Sequence, residues 1–393
     1  MSFRYVKLGS LFDITSGGTP SRKNKAYYEN GDIPWVKTGD LKNMYLVDAD
    51  EYITQQALNE SSAKLFPKGT VLIAMYGATI GNCSILSINA ATNQACAAFK
   101  PNNRIIPEFL YYYLTSIKEK LISLAVGGAQ PNISISILRN IEIPLLTINQ
   151  QERVVSILNK SKELIDKRKA QIEALDQLTQ SVFLEMFGDP RLNKKNWKKQ
   201  KLNDVCLRKG EYGSGSSAIP YDSGKPRYIR ITDIRDDGSL NDDIVAPSNP
   251  DDYEKYRLNE GDILFARSGA TVGKTYLHSE KNGYCIFAGY LIRFVPDTSK
   301  INPKFLFHFT RTQYYKQWVM NKQNTVAQPN INAKQYGEEL FIICPPLELQ
   351  NRFAKIVEEI EAEKELLQKS MVELQNNFNS LMQLAFKGEL FND

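Results

Sequence analysis

The pentapeptide AQPNI occurs twice in this chain, at residues 129–133 and again at residues 327–331. Further pairs keep the same order at a similar spacing: GATIG at 77–81 with GATVG at 269–273, WVKTGDL at 35–41 with YIRITDI at 228–234, and PEFL at 107–110 with PKFL at 303–306. A repeat of roughly 195 residues is much longer than the units of solenoid arrays. The sequence therefore predicts one duplicated and diverged domain.

Each copy begins with a globular, sheet-rich part. In the first copy FPKGTVLIAMYGATIGNCSIL (66–86) is typical of a strand, a glycine turn and a second strand, and LNEGDILFARSGATVGKTYL (258–277) has the same pattern. A short helix, the AQPNI loop and a closing strand with proline follow in both copies. These patterns predict a mixed α/β (α+β) fold with two pseudo-symmetric globular domains.

Each copy ends with a long helix. The stretches 151–187 and 350–386 contain neither proline nor glycine, and they align without insertion or deletion. At about 1.5 Å per residue, each helix extends over roughly 54 Å. Apolar residues recur at heptad spacing on both helices, which favours pairing of the two helices over coverage of one small domain by each helix. The residues expected to pair the helices are Leu158, Ile165, Ile172, Leu175, Val182, Phe353, Ile360, Leu367, Leu374 and Leu381.

The predicted organisation has four segments. A globular domain at 1–149 precedes a helix at 150–187, and a second domain at 188–348, with a basic linker at 190–201, precedes a helix and tail at 349–393. We expect an antiparallel coiled coil that places one domain at each end. Because the helices keep equal length while the domains do not, they are predicted to set a fixed distance between two binding surfaces.

Charge points weakly to nucleic acid. The net charge is +5, from 49 basic and 44 acidic residues, which many soluble proteins share. The segment Arg191–Lys201 holds six basic residues and no acidic one, and Arg22, Lys23 and Lys25 form a second cluster. Basic residues beside aromatic ones are suited to phosphate contact. The alternative for Arg191–Lys201 is a solvated linker.

Motifs of catalysis are missing from the sequence. It contains no GxxxxGK[ST], HExxH or GxSxG pattern, and its five cysteines have no CxxC spacing. We therefore expect no catalytic residues and no metal site, and we expect buried thiols. Without an apolar run of 18 residues or a secretory N-terminal pattern, the chain is expected to be cytoplasmic, with no membrane contact.

Taken in order, these motifs resemble the specificity subunit of type I restriction–modification systems over nearly the whole chain. The resemblance rests on GGTPS (17–21), IPWVKTGDL (33–41), both GAT turns, both AQPNI loops, MFGDPRLNKKNW (186–197), PPLELQNRF (345–353) and LAFKGEL (384–390). The first copy departs from the PPL pattern, and the second has GSGSS (213–217) in place of GGTPS.

The resemblance implies a non-catalytic protein with two target-recognition domains. Each domain is expected to read one half of a bipartite, asymmetric sequence in double-stranded DNA, while the helices set the spacer and dock two modification subunits. Those subunits carry adenine methylation with S-adenosylmethionine, and restriction subunits add cleavage driven by ATP with Mg²⁺. This chain is expected to bind none of these cofactors.

Polar and basic residues near the repeated motifs are the predicted DNA contacts, because Lys and Arg neutralise phosphates and Arg, Asn and Gln pair with base edges. Tyr76 and Arg267 are interpreted as equivalent positions that differ as base readers do, whereas the identical AQPNI residues favour loop architecture over backbone contact. For all of them, structural polarity is the alternative. The predicted set is Arg22, Lys23, Lys37, Thr38, Asp40, Tyr76, Gln130, Asn132, Lys194, Lys195, Arg230, Thr232, Asp233, Arg267, Gln328 and Asn330.

Three other functions fit parts of the pattern. A stand-alone DNA-binding regulator needs no methyltransferase partner, an endonuclease needs an unrecognised metal site, and a coiled-coil adaptor needs no DNA affinity. Two diverged copies of one domain favour the specificity subunit over all three.

Overall fold

The computed structural model of the chain describes residues 4–127, 131–323 and 330–390. Two compact units are formed: unit 1 combines Met1–Lys169 with Lys369–Asp393, and unit 2 is Ala170–Gln368. Both divisions fall inside long helices, so each unit contains a globular part and half of each helix. The four segment boundaries expected from the sequence stay a prediction.

The globular part of unit 1 contains eleven described strands and four described helices, and the first long helix follows it. The strands are β1 (Tyr5–Lys7), β2 (Thr15–Ser16), β3 (Ile33–Val36), β4 (Tyr45–Leu46), β5 (Tyr52–Ile53), β6 (Leu65–Phe66), β7 (Val71–Ala74), β8 (Cys83–Leu86), β9 (Ala90–Thr92), β10 (Cys96–Phe99) and β11 (Glu142–Pro144). The helices are α1 (Gln55–Glu60), α2 (Pro107–Ser116), α3 (Lys118–Ser123), α4 (Ile135–Asn140) and α5 (Ile148–Phe187).

The central sheet of unit 1 has the order β2-β10-β7-β8-β4, and a second sheet has the order β5-β3-β9-β6. Every residue of β7, β8 and β10 is buried, because both faces of the central sheet are covered. Successive side chains of a strand alternate between faces. Val71 and Ile73 accordingly share a core with Phe109 of α2, while Leu72 and Ala74 pack in another cluster.

The globular part of unit 2 is built from the second copy, and the second long helix follows it. Its strands are β12 (Lys198–Lys201), β13 (Glu211–Tyr212), β14 (Ala218–Pro220), β15 (Arg227–Ile229), β16 (Val245–Pro247), β17 (Ile263–Ala266), β18 (Thr275–Leu277), β19 (Cys285–Phe287), β20 (Leu291–Phe294) and β21 (Phe341–Cys344). Its helices are α6 (Asp252–Lys255), α7 (Pro303–Phe309), α8 (Gln313–Gln323), α9 (Ala333–Glu339) and α10 (Leu347–Lys387).

The two central sheets have the same register. Ile263 of β17 lies opposite Leu277 and Phe294. Val71 of β7 has the matching partners, Ile85 and Phe99. In each unit another strand pair is parallel, β3 with β9 and β15 with β19. The predicted mixed α/β class and the internal duplication are therefore confirmed at the level of strand pairing.

A buried glutamine near the start of each long helix fixes that helix to its domain. Gln151 accepts a hydrogen bond from the Ile106 backbone nitrogen (2.8 Å) and donates to the carbonyl oxygens of Arg104 and Leu146. Gln350 repeats this arrangement, accepting from Asn302 (2.9 Å). Both side chains are completely buried, so every hydrogen bond they make replaces one to water.

The long helices pack together inside each unit. In unit 2, Phe353 of α10 contacts Phe183 and Phe187 of α5, and Lys364 pairs with Asp176 at 2.6 Å. Residue numbers rise along α5 as they fall along α10, so the two segments run antiparallel. In unit 1, the other halves of these helices share the core beneath α2.

The residues at the heptad positions lie on the inner faces of the paired helices α5 and α10. None of the predicted pairing residues is exposed, and Leu158, Ile165 and Phe353 are fully buried. Large apolar side chains at other positions of these helices are exposed: Leu164, Leu178, Leu184, Leu366 and Val372. The predicted helix pairing is therefore present within both units. Across the described residues, no helix is long and apolar enough to cross a membrane.

Candidate nucleic-acid interface

A short 3-10 turn follows the aromatic strand of each domain and contains several predicted DNA contacts. Asp40 accepts a hydrogen bond from the Lys37 backbone nitrogen at 2.7 Å, and Asp233 accepts one from the Arg230 nitrogen at 2.8 Å. A carboxylate in this position satisfies an otherwise free amide at the start of the turn. Because Asp233 is only 1% exposed, we assign it to loop architecture and not to DNA contact.

The basic residues of this region in unit 1 are paired with an acidic residue. Arg22 and Lys37 both form ion pairs with Glu51 at 2.5 Å, and these two cations hold the pKa of Glu51 below its usual value, the Lys37 hydrogen bond contributing most. The Arg22 guanidinium also lies 4.5 Å from the centre of the Tyr28 ring and 5.1 Å from that of Trp35. Lys23 beside it is exposed.

The corresponding region of unit 2 is neutralised in a similar way. Arg230 forms ion pairs with Asp233 at 2.8 Å and with Asp243 at 2.7 Å. Thr232, one residue before Asp233, is exposed. In unit 1 the position that matches Thr232 is Gly39, and Thr38, which matches Ile231, is half-buried. A phosphate approaching Arg230 therefore competes with two carboxylates.

The basic linker is an ordered cap on α5. Lys195 donates to the carbonyl oxygens of Glu185 (2.9 Å) and Met186 (2.8 Å), and the Trp197 indole donates to Phe187 (2.8 Å). These carbonyls have no partner within the helix, and a cation near them is favourable. Lys195 is thus committed to the helix end, whereas the neighbouring Lys194 is exposed.

The AQPNI loops pair with the GAT turns in the same way in both units. Asn132 forms a β-bridge with Tyr76, and Asn330 forms one with Ser268. One residue further, the Ile133 nitrogen donates to Met75 and the Ile331 nitrogen donates to Arg267, both at 2.8 Å. The loop asparagines therefore contribute to shared backbone architecture. Gln130 and Gln328 lie outside the described residues.

This pairing corrects one prediction from the sequence. Tyr76 and Ser268 both directly precede a GAT turn, so they are the equivalent pair. Arg267 is equivalent to Met75, and the expected equivalence of Tyr76 with Arg267 is wrong by one residue. The shift matters because adjacent residues of an extended chain face opposite sides. Met75 is buried in the core, whereas Tyr76 is exposed.

Arg267 lies over one tyrosine ring and pairs through its backbone with a second tyrosine, a setting that the sequence reasoning missed. Its guanidinium lies 4.7 Å from the centre of the exposed Tyr212 ring, and its Nε donates to Asn330 Oδ1 at 3.3 Å. Its backbone nitrogen bonds to the carbonyl of Tyr290, whose side chain is 63% exposed. The strand registers place Ser16 and Ala95 at the matching positions of unit 1. Aligning the copies strand by strand reveals this contrast.

Four of the five cysteines are buried, and Cys344 is half-buried. Burial raises the pKa of Cys96 and Cys206 to about 12 and that of Cys285 and Cys344 to about 11, and it also raises the pKa of Cys83. Within the part of the chain that the structure describes, no group of three or more His, Cys, Asp or Glu side chains is placed to hold a metal ion.

The family profile and the similar proteins point to the same family. The profile of the family described as "Type I restriction modification DNA specificity domain" matches residues 2–174 and 194–376. The MjaIX specificity subunit of a type I restriction enzyme from Methanocaldococcus jannaschii is 25% identical, over 98% of this chain and 92% of that protein. The EcoR124I/EcoR124II specificity subunit from Escherichia coli is 30% identical over 39% of each chain.

Solved structures share the fold. A chain from a study of complex assembly and conformational transition in the type I R-M system has a TM-score of 0.66 at 20% identity, covering 99% of this chain and 98% of that one. The S subunit of a type I restriction-modification system from M. genitalium has a TM-score of 0.55 at 18% identity, covering 98% and 96%.

Proposed function

The chain belongs to the type I restriction–modification DNA specificity family, and from this premise we propose that each of its two domains reads one half of a bipartite, asymmetric DNA target. One observation carries the proposal: a single backbone framework places different side chains at matching positions. Tyr212, Arg267 and Tyr290 in unit 2 stand where unit 1 has Ser16, Met75 and Ala95. Two domains that share a framework but differ in their surfaces are suited to two different half-sites.

Phosphate contacts orient the domains in this proposal, and a few side chains read bases. Arg22, Lys23, Lys37, Lys194 and Arg230 are the positioning cations. They are exposed or half-buried, and their charges extend over both domains. When DNA binds, a paired cation such as Arg22 exchanges its carboxylate partner for a phosphate. DNA affinity is therefore expected to fall as the salt concentration rises.

The long helices set the spacer between half-sites and dock two modification subunits. The heptad face is used for pairing inside each unit, which leaves other faces for partners. Exposed apolar side chains there, such as Leu164, Leu178 and Leu366, support a protein-binding surface. Restriction subunits complete the assembly.

Catalysis belongs to the partners in this scheme. The modification subunits supply S-adenosylmethionine chemistry on adenine, and the restriction subunits use ATP and Mg²⁺. This chain acts as a non-catalytic specificity subunit and contributes the choice of DNA sequence.

Co-expression of the chain with its cognate modification subunit, followed by mapping of adenine methylation on genomic DNA, tests the proposal. We expect one split motif with two different halves. DNA binding by the chain without complex formation or methylation would instead support a stand-alone regulator. Cleavage by the purified chain with Mg²⁺ would support an endonuclease, and absence of DNA affinity would support an adaptor.

A further inference from the structure

Arg267 differs from the other arginines proposed to contact DNA. Arg22 is paired with Glu51, and Arg230 is paired with two aspartates. Arg267 forms no ion pair within residues 4–127, 131–323 and 330–390, although it is only half-buried. Its positive charge is therefore available to an external acceptor without displacing a carboxylate.

The plane of the guanidinium is held by two neighbours. The Tyr212 ring lies beneath it at 4.7 Å, and Asn330 Oδ1 accepts from Nε at 3.3 Å. Among the described residues, the two terminal nitrogens of Arg267 make no hydrogen bond. A guanidinium over the face of an aromatic ring is attracted by the negative charge of that face. These two contacts thus orient the side chain without using its terminal nitrogens.

The supports of Arg267 are themselves fixed. The Tyr212 hydroxyl accepts a hydrogen bond from the Ala333 backbone nitrogen at 3.1 Å, at the first residue of α9. The Ile331 nitrogen donates to the Arg267 carbonyl at 2.8 Å. One short segment, 330–333, therefore holds the backbone, the Nε and the stacking ring of a single arginine.

We propose that Arg267 is a specificity-determining residue that reads a guanine in the half-site of unit 2, with Tyr212 and Asn330 as positioning residues. This inference rests on the proposed function. Two parallel N–H donors in one plane match O6 and N7 of guanine in the major groove. A phosphate contact needs only charge at the right distance, whereas reading a base edge requires a fixed plane, and the contacts of Arg267 provide one.

Unit 1 lacks this reader. Met75 occupies the matching position and is buried in the core, and the matching neighbours, Ser16 and Ala95, have no ring to stack on. Reading of guanine from this position is therefore confined to one of the two half-sites, and it contributes to the asymmetry of the target.

Methylation mapping of the complete complex tests the inference. Arg267→Ala is expected to relax one G·C position of one half-site, lowering discrimination at that position by about 10-fold to 100-fold, with all other positions unchanged. Arg267→Gln is expected to move the preference at the same position towards adenine, because a glutamine amide pairs with N6 and N7 of that base.

A matched control is available in the same domain. Arg257 also lies over a tyrosine ring, that of Tyr284, at 5.1 Å, but it is paired with Glu254. Arg257→Ala is expected to leave the motif unchanged. If Arg267→Ala weakened methylation uniformly at every sequence, with a shallower dependence on salt, Arg267 would contact a phosphate and the inference would be overturned. An unchanged motif would overturn it as well.

Tyrosine variants separate positioning from folding. Tyr212→Phe keeps the ring and is expected to keep discrimination, whereas Tyr212→Ala is expected to relax the same position as Arg267→Ala. Loss of yield without loss of base discrimination in Tyr212→Ala would assign Tyr212 a structural role only and contradict its positioning role. Absence of a split motif with the unaltered chain would instead overturn the proposed function, which distinguishes the two failures.

Discussion

The central sheets of the two units have the same register but different chemistry in their interiors. In unit 2, Arg293 of β20 is 7% exposed at its side chain and forms ion pairs with Glu211 at 2.6 Å and with the buried Asp262 at 3.5 Å. In unit 1, the matching residues are uncharged: Ala98, Thr15 and Thr70. One framework therefore tolerates either an ionic cluster or neutral small residues at the same three positions.

The comparison teaches which interactions define this fold. Backbone pairing, the buried glutamines of the long helices and the loop–turn bridges are the same in both units. The side chains on that framework have diverged inside the sheet and at its exposed end. Shared backbone contacts preserve the framework, and substitutions on it produce domains with separate binding preferences.

Removal of Arg293 is expected to have the largest effect on stability. Arg293→Ala leaves the carboxylate of Asp262 buried beside that of Glu211, and the nearby cation that remains is the exposed Arg208, which pairs with Glu211 at 3.0 Å. Burial already raises the pKa of Asp262, and Arg293 is one of the groups that counter this rise. We expect unit 2 to lose about 3–5 kcal/mol of unfolding free energy, measured by amide hydrogen exchange in β17 and β20.

The matched control converts the whole cluster to the unit 1 residues. The triple variant Glu211→Thr, Asp262→Thr, Arg293→Ala removes all three charges together and is expected to stay within about 1–2 kcal/mol of the original chain or to exceed it. If the triple variant lost as much stability as Arg293→Ala, the two interiors would not be interchangeable.

The helix contact provides a smaller test of the same comparison. Phe353 of unit 2 matches Val154 of unit 1, and it packs on Phe183 and Phe187. Phe353→Val is expected to cost about 2–3 kcal/mol because it leaves a cavity. The cost is less than for truncation to alanine, since valine fills part of that cavity. Val154→Phe is expected to cost about 1–3 kcal/mol by overpacking.

Exchange protection in the two helix halves measures both changes. Leu366→Ala, at an exposed position of α10, serves as a control and is expected to stay within about 0.5 kcal/mol. If Phe353→Val proved neutral, the cluster of phenylalanines would not stabilise the helix pairing of unit 2.

Acid is expected to destabilise unit 2 before unit 1, because both histidines of the chain, His278 and His308, lie in unit 2. Burial lowers the pKa of His308 to about 3, and it also lowers that of His278. The unfolded imidazole takes up a proton below pH 6.5 while the folded one stays neutral. Stability is therefore lost as pH falls below 6.5, by about 2 kcal/mol at pH 5 for His308.

His308→Tyr copies Tyr112, the matching residue of unit 1. The informative quantity is the slope of unfolding free energy between pH 6.5 and pH 5, since the substitution also changes packing. The slope for unit 2 is expected to decrease towards that of unit 1. An unchanged slope would mean that His308 is protonated in the folded protein.

Regular features were predictable from the sequence because they depend on periodicity. The heptad pattern correctly placed Leu158, Ile165 and Phe353 on the inner face of the paired helices, and strand–turn–strand patterns located β7 and β8. Proline and glycine mark the ends of helices and strands. An error of one residue at the end of a helix of about forty residues does not alter the prediction.

Side-chain partnerships could not be predicted in this way. The commitment of Lys195 to helix carbonyls and of Asp233 to a buried cap depends on which backbone groups lie near by. The interpretation of Tyr76 and Arg267 failed for a different reason, an alignment error of one residue. The GAT motifs at 77 and 269 already pair Met75 with Arg267 in the sequence, and the hydrogen-bond register agrees.

The central claim is that half-site identity belongs to the domains and half-site spacing to the helices. Deletion of one heptad from each helix, 161–167 and 360–366, shortens each by about 10 Å. Mapped methylation is predicted to keep both half-sites and to lose about three base pairs of spacer. Altered half-site bases with an unchanged spacer would contradict the account.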